Sequence, residues 1–182
     1  MNFLSKYEIA FKGLTEGSHH FNFEIDDRFF EKFEDSLVEK GQLVAKVTFT
    51  KQSTLLIIDM AVKGTVELMC DRCLDNYDQK VKNKSKLFVK FGNETEEMSD
   101  EMIVIPLEQH LIDISQYLYE LIVLGLPIKH VHPGNKSGKS ACNPEMIEKL
   151  KEYLVEEVSA GADEEPVIDE RWNELKKLLD NK

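Results

Sequence analysis

The stretch Leu43-Val-Ala-Lys-Val-Thr-Phe-Thr50 carries the clearest secondary-structure pattern in the chain, because apolar side chains occupy every second position. A period of two is typical of a β-strand with one buried face. Residues 51–54 predict a turn, and residues 55–69 predict a long second strand in which Gly64 marks a β-bulge. A third strand is predicted over residues 77–91. Short connections between consecutive strands favour an antiparallel meander.

Other elements flank this meander. Residues 1–25 predict two short strands, and residues 26–41 predict one short helix. From residue 111 apolar side chains recur at helical spacing, and Asp113 with Gln116 resembles a capping box. Asn143-Pro144 is a good cap and first-turn pair for another helix. We therefore predict an α+β fold, an antiparallel β meander packed with a few helices.

The predicted organisation is one folded domain with a tail. Acidic residues are concentrated after residue 155 together with Gly161 and Pro166, which is typical of a solvated linker. Trp172 and the leucines that follow it share one helical face, which predicts a short amphipathic helix. The predicted parts are a single α+β domain at 1–155 (a variable N-terminal part at 1–41, the β meander with a Cys-x-x-Cys motif at 42–91 and a helical part at 111–155), an acidic linker at 156–170 and a C-terminal helix at 171–182.

Charge is distributed unevenly along the chain. The 182 residues include 23 Lys and Arg against 34 Asp and Glu, a formal net charge of −11. This balance excludes a histone-like protein that binds nucleic acid without specificity. Yet seven acids lie within residues 156–170, whereas residues 79–90 and 126–143 together hold eight lysines and no acid. The sequence therefore predicts one positive face on an otherwise acidic protein.

No segment predicts export or membrane insertion. The first ten residues include Lys6 and Glu8 and contain no apolar run of signal-peptide length. The longest apolar stretch, at 121–128, is far shorter than the roughly 20 residues that span a bilayer. Three cysteines, an odd number, do not suggest a disulfide framework. We predict a cytoplasmic protein with no membrane partner.

Cys70 and Cys73 form a Cys-x-x-Cys motif at the end of a predicted strand. Two thiolates at this spacing can bind one tetrahedral ion, and His132 with Cys142 would complete a structural zinc site. The alternatives are cysteines that bind no metal and a redox dithiol. A thioredoxin-like motif opens a helix, whereas a strand is predicted to follow Cys73.

The predicted third strand carries a row of positive charge. Even-numbered positions of one strand share a face, while Val81, Leu87, Val89 and Phe91 are predicted to face the core. Lysines with an aromatic ring among them suit contact with RNA backbone and bases. Lysines also prevent unwanted pairing of edge strands, and both interpretations remain open. The row consists of Lys80, Lys82, Lys84, Lys86, Phe88 and Lys90.

No group of residues predicts an enzyme. Residues 134–140 resemble a phosphate-binding loop, but they are one residue short and follow no buried strand. No Ser–His–Asp arrangement or carboxylate pair stands out from the ordinary charged residues. We predict no catalytic residues and no small-molecule substrate.

Two motifs resemble the signatures of the YceD family, the large ribosomal RNA subunit accumulation proteins. Val62-Lys-Gly-Thr-Val-Glu-Leu-Met-Cys-Asp-Arg-Cys-Leu74 is similar to the first, a strand with a glycine followed by C-x-R-C-L. Leu124-Gly-Leu-Pro-Ile-Lys-His-Val-His132, with Cys142 after it, is similar to the second. Asp169-Glu-Arg-Trp172 resembles the D-P-R-[WF] of some members, with Glu170 where proline is common. The resemblance implies a non-enzymatic role in ribosome biogenesis, needed for large-subunit ribosomal RNA to accumulate.

This resemblance also implies a partner, either large-subunit ribosomal RNA or a precursor particle. We predict that the lysine row contacts that RNA together with Arg72 and Lys129. The alternative is a protein-interaction adaptor, in which the acidic linker and the Trp172 helix bind a basic ribosomal protein or assembly factor without RNA contact. A dithiol redox protein is the third interpretation.

Overall fold

A computed structural model describes residues 3–99, 101–134 and 141–153. A 3₁₀-helix at Phe3–Tyr7 comes first. The elements that follow are β1 Glu8–Ala10, β2 Gly17–Ile25, α1 Asp27–Phe30, β3 Gly41–Lys51, β4 Leu55–Met69, β5 Asn76–Gly92, β6 Glu96–Ser99, β7 Met102–Pro106, β8 Leu111–Asp113, α2 Ser115–Val123 and α3 Pro144–Tyr153.

Six strands form one sheet in the order β2-β3-β4-β5-β7-β6, and β1 pairs with β8 in a separate two-stranded sheet. Every pair is antiparallel except β5 with β7. The predicted α+β fold is therefore confirmed, and so are the three strands of the meander.

Within the described residues, the chain divides into two compact units at Ile147 and Glu148. No described helix is long and apolar enough to cross a membrane.

One face of the sheet forms the hydrophobic core. The odd-numbered side chains of β3 from Leu43 to Phe49 are buried, as the alternation of the sequence predicts. Antiparallel pairing places them beside the even-numbered side chains of β4 and the odd-numbered apolar side chains of β5. Leu118 and Ile122 of α2 belong to the same core. The opposite face of the three strands carries their polar and charged side chains.

Gly64 does not mark a β-bulge, so that prediction is wrong. The pairings of β4 with β3 and with β5 run through Gly64 without a shift in register. A Cβ atom at this position would overlap the carbonyl oxygen of Gln42 and lie 2.5 Å from Cα of Leu43. Glycine is required because β3 and β4 approach closely here.

The N-terminal part departs from its prediction in two places. The first of the two predicted strands is reduced to β1, because Phe3–Tyr7 forms a 3₁₀-helix. The helix predicted over 26–41 is only the four residues of α1, and Asp35 then has a left-handed φ of 54°. Phe29, Phe30 and Val38 are nevertheless buried. Their spacing reflected burial rather than a continuous helix.

The helix predicted from residue 111 begins four residues later. Leu111 lies in β8 and pairs with Ala10 of β1. The capping box is also wrong, because the Asp113 carboxylate accepts the N–H of Ser115 at 2.8 Å, while Gln116 donates to Glu120. A three-residue strand interrupts the apolar pattern before the helix starts.

The last described helix agrees with its prediction. Asn143 accepts the N–H of Glu145 through its side-chain oxygen at 3.1 Å, and α3 begins at Pro144. This arrangement caps the first turn of the helix. The predicted acidic linker at 156–170 and C-terminal helix at 171–182 lie outside the described residues.

We expect Gly64→Ala to lower the free energy of unfolding by about 1–3 kcal/mol, the usual cost of forcing extra atoms into packed structure. Gly13→Ala is the control, because a Cβ at Gly13 would meet nothing within 4 Å, and a change within about 0.5 kcal/mol is expected there. Urea denaturation of both variants measures the difference. Equal unfolding free energies for the two variants would show that β3 and β4 accommodate the added methyl group without a loss of stability.

Candidate functional site

The turn between β4 and β5 directs two thiols to the interior. The N–H of Cys70 donates to the carbonyl of Asp75, and the N–H of Leu74 donates to the carbonyl of Cys70, both at 2.9 Å. Leu74 has a left-handed φ of 61°, which closes the turn. As a result Cys70 and Cys73 are both buried, with 0% and 1% of their surface exposed. The motif is followed by a strand, β5, and not by a helix.

The loop after α2 is fixed to this turn by two hydrogen bonds between Asp71 and His130. The N–H of Asp71 donates to the carbonyl of His130 at 2.7 Å. The N–H of His130 donates back to the Asp71 carboxylate, also at 2.7 Å. Further along the sheet, the Asn83 side chain donates to the carbonyl of Leu121 at 2.9 Å. These contacts fix the path of the chain on its way to His132.

Four donor atoms meet where the turn and the loop come together. The sulfur of Cys70 lies 3.8 Å from the sulfur of Cys142, and the sulfur of Cys73 lies 3.5 Å from Nδ1 of His132. All four donor atoms lie within 4.8 Å of one another. The His132 ring also packs beside the Tyr77 ring, with centroids 5.0 Å apart. The residues predicted as metal ligands are therefore brought together.

Two of the separations between these donor atoms equal those expected around a tetrahedral ion. Zinc binds sulfur at about 2.3 Å and imidazole nitrogen at about 2.0–2.1 Å. A tetrahedron with those bonds has S–S edges of about 3.8 Å and S–N edges of about 3.6 Å. The Cys70–Cys142 and Cys73–His132 separations match these edges. Three cysteines and one histidine are also a donor set typical of structural zinc sites.

The two thiols of the turn have different acidities. Burial opposes ionisation of Cys70, but N–H groups of Cys73, Arg72 and His132 donate to its sulfur, and the pKa of Cys70 falls to about 6. Burial, together with the neighbouring Cys70, raises the pKa of Cys73 above its ordinary value. Cys70 is thus the first of the pair to become a thiolate, the form of cysteine that binds metals.

The lysine row lies on the outer face of the sheet. Its five lysines are exposed and Phe88 is half-buried, while Val81, Leu87 and Val89 on the opposite face are buried. Lys86 forms an ion pair with Asp59 of β4 at 3.1 Å. In the part of the chain that the structure describes, β7 pairs with β5 only at residues 88–92, so residues 76–87 have one edge without a strand partner.

Arg72 and Lys129 are exposed, and Arg72 lies in the turn that joins β4 to β5. Each is next in sequence to a partner of the Asp71–His130 contact, which brings their backbones together. The structure thus places these two residues beside the metal-ligand cluster and beyond the end of the lysine row. Lys136 and Lys139 of the same loop fall outside the described residues.

Two further lysines belong to the outer face and were not found from the sequence. Lys63 of β4 lies directly opposite Lys82 of β5. Lys46 of β3 and Lys84 of β5 both lie opposite Ala61 of β4. Neither strand shows a row of lysines in its sequence, so only the pairing register reveals that Lys46 and Lys63 join the lysine row.

Fold and site together define a class, that of an α+β protein in which a Cys-x-x-Cys hairpin meets a histidine and a cysteine supplied by its helical part. Over residues 58–179 the chain matches the family model described as large ribosomal RNA subunit accumulation protein YceD, and it belongs to that family. The match confirms the resemblance seen in the sequence motifs. A search of curated proteins and a search of solved structures found no match.

We expect Asp71→Ala to lower the free energy of unfolding by about 0.5–1.5 kcal/mol, because it removes the acceptor of the hydrogen bond from His130. Asp75→Ala in the same turn is the control, since no hydrogen bond to the carboxylate of Asp75 is present among the described residues. Denaturation with reductant and chelator isolates this contact from any metal. If both variants unfold alike, the carboxylate does not hold the loop.

Proposed function

We propose that this protein is a non-enzymatic ribosome assembly factor that contacts large-subunit ribosomal RNA, or a precursor particle, through the outer face of its sheet. The family name implies a role in accumulation of large-subunit ribosomal RNA. The observation that carries the proposed contact is the lysine row, exposed along β5 in a chain with a net charge of −11. Such a role favours the cytoplasm as the proposed location.

The chemistry of this face suits the RNA backbone. Lysine ammonium groups contact phosphates without reading base sequence, and they project from a strand whose other face is fixed in the core. Arg72 and Lys129 extend the positive surface toward the hairpin, and both are exposed. Phe88, half-buried at the far end of the row, offers a ring on which a base can stack.

We further propose that Cys70, Cys73, His132 and Cys142 bind one structural zinc ion. Four protein ligands fill a tetrahedral site, so no position remains open for a water or a substrate. The ion would join the β4–β5 turn to the loop that precedes α3, in addition to the Asp71–His130 contact. Its role would be to hold Arg72 and Lys129 in place beside the row.

The other two interpretations differ from this one in a measurable way. A protein adaptor would keep its ribosomal partner after ribonuclease treatment, whereas an RNA-binding factor would release it. A redox dithiol would need Cys70 and Cys73 to cycle, so replacing both with serine would abolish function even where RNA binding and folding persist. Crosslinking of RNA in cells distinguishes the RNA-binding factor from the protein adaptor directly.

We expect the purified, reduced protein to contain one zinc ion per chain. His132→Ala should weaken zinc binding because it removes a ligand. The loss of affinity should exceed the roughly 10–100-fold seen when a residue that only hydrogen-bonds to a ligand is replaced. His130→Ala is the matched control, since that ring is not among the four clustered donors. Competition with a chelator measures the affinities, and cobalt substitution reports sulfur-to-metal charge transfer. No bound metal, or equal affinities in the two variants, would contradict the zinc site.

We expect charge reversal of Lys82, Lys84 and Lys86 to glutamate to weaken binding to a large-subunit ribosomal RNA fragment. The dependence of log K on log salt should become shallower by about 0.7–0.9 for each phosphate that the variant no longer neutralises. Reversal of Lys12, Lys32 and Lys149, which are exposed and belong to no strand, gives a control with the same net charge. Filter binding at several salt concentrations measures both. Equal slopes for the two triple variants would move the binding surface elsewhere or assign it to a protein.

A further inference from the structure

The outer face of the sheet carries a groove where β3, β4 and β5 lie side by side. The groove has a volume of about 1210 Å³, larger than the roughly 300–1,000 Å³ of small-molecule pockets. Val44, Ala61 and Gly64 line it with apolar surface. Three strands contribute its basic side chains, which are Lys46, Lys63, Lys82 and Lys84.

In the described part of the chain, these four lysines have no carboxylate partner. The ion pairs of lysine found there are Lys40–Glu67 and Lys86–Asp59, and neither involves a lysine of the groove. Lys86 faces Asp59 across β4 and β5, whereas Lys82 faces Lys63 on the same two strands. Like charges directly opposite each other destabilise a sheet. The groove therefore holds four lysines against two carboxylates, and an anion would offset this excess of positive charge.

The lining of the groove also restricts how the anion is recognised. The acidic residues at its β2 side are Glu24 and Asp26, and the Asp26 carboxylate is already bound by Arg28 at 2.8 Å. No aromatic side chain lines the groove within the described residues, and Phe88 lies outside it. Bases therefore have no ring on which to stack inside it. A ligand would be held there through phosphates against lysines.

We propose that this groove binds the sugar–phosphate backbone of single-stranded RNA without regard to base sequence. The inference rests on the proposed function and deepens it, because the RNA then crosses β3, β4 and β5 and uses Lys82 and Lys84 of the lysine row. Positively charged grooves that follow the backbone are how proteins bind single strands without sequence preference. Lys46 and Lys63 become contacts, while Lys86, paired with Asp59, contributes little.

The test compares two double variants of the full-length protein. Lys46→Gln with Lys63→Gln changes the groove but leaves β5 intact, and Lys12→Gln with Lys32→Gln changes net charge equally elsewhere. The probe is oligouridylate of about 12 nucleotides, within the roughly 4–16 nucleotides typical of single-strand sites. The groove variant should bind with a salt slope shallower by about 1.4 and an affinity about 25-fold lower at 0.1 M salt. The control variant should bind like the natural protein.

A melting temperature separates this effect from misfolding. Lys63→Gln alone removes the like-charge pair with Lys82, so its melting temperature should stay level or rise while its affinity for oligouridylate falls. A loss of affinity that accompanies a lower melting temperature would overturn the assignment of Lys63 as a contact.

The remaining outcomes distinguish the groove from the broader proposal. If reversal of Lys82, Lys84 and Lys86 weakens binding but the Lys46/Lys63 variant binds normally, the groove is overturned and the lysine row stands. If neither set matters, both fail. Binding of a polyglutamate peptide with the same dependence on Lys46 and Lys63, and tighter than oligouridylate, would assign the groove to an acidic protein and overturn RNA as its occupant. Tighter binding of duplex RNA would overturn the single-strand assignment.

Discussion

The backbone pairing of β4 with β3 and β5 is the constraint on which the other features depend. Both pairings keep one register from end to end. Since side chains alternate between faces, a slip of one residue would move every apolar side chain of a strand to the solvent face. The same register directs the lysines outward and sets Lys63 against Lys82. It also ends β4 at Met69, so that the Cys-x-x-Cys turn emerges at the end of the sheet nearest the loop after α2.

The cysteine cluster connects parts of the fold that lie far apart in the sequence. The turn holding Cys70 and Cys73 belongs to the sheet, whereas His132 and Cys142 lie beyond α2. Two hydrogen bonds between Asp71 and His130 already join these parts before any ion is considered. A metal bound here would add its binding free energy to that of folding, because the unfolded chain offers no such site.

Patterns of local origin were predictable from the sequence, and patterns that need distant partners were not. The period of two in β3 identified the meander, and the Asn143 cap located α3, because each signal lies within the element itself. The apolar spacing after Asp26 reflects burial in an irregular segment. The helix predicted there is therefore only the four residues of α1. The grouping of the four potential metal ligands was predictable because the chain has only three cysteines, so few combinations of ligands are available. The contribution of Lys46 and Lys63 to the positive face was not predictable, because their neighbours are set by strand pairing.

The sequence separation of the clustered donors has a consequence for the order of folding. Cys70 precedes Cys142 by 72 positions, and Cys73 precedes His132 by 59. The β3–β4–β5 hairpins are local contacts, which we expect to form before the cluster, since the cluster also needs α2 and the loop after it. During synthesis the first two thiols are therefore made before the other two ligands, and the turn that holds them needs only β4 and β5. Completion of the cluster would mark the moment at which the helical part has docked on the sheet.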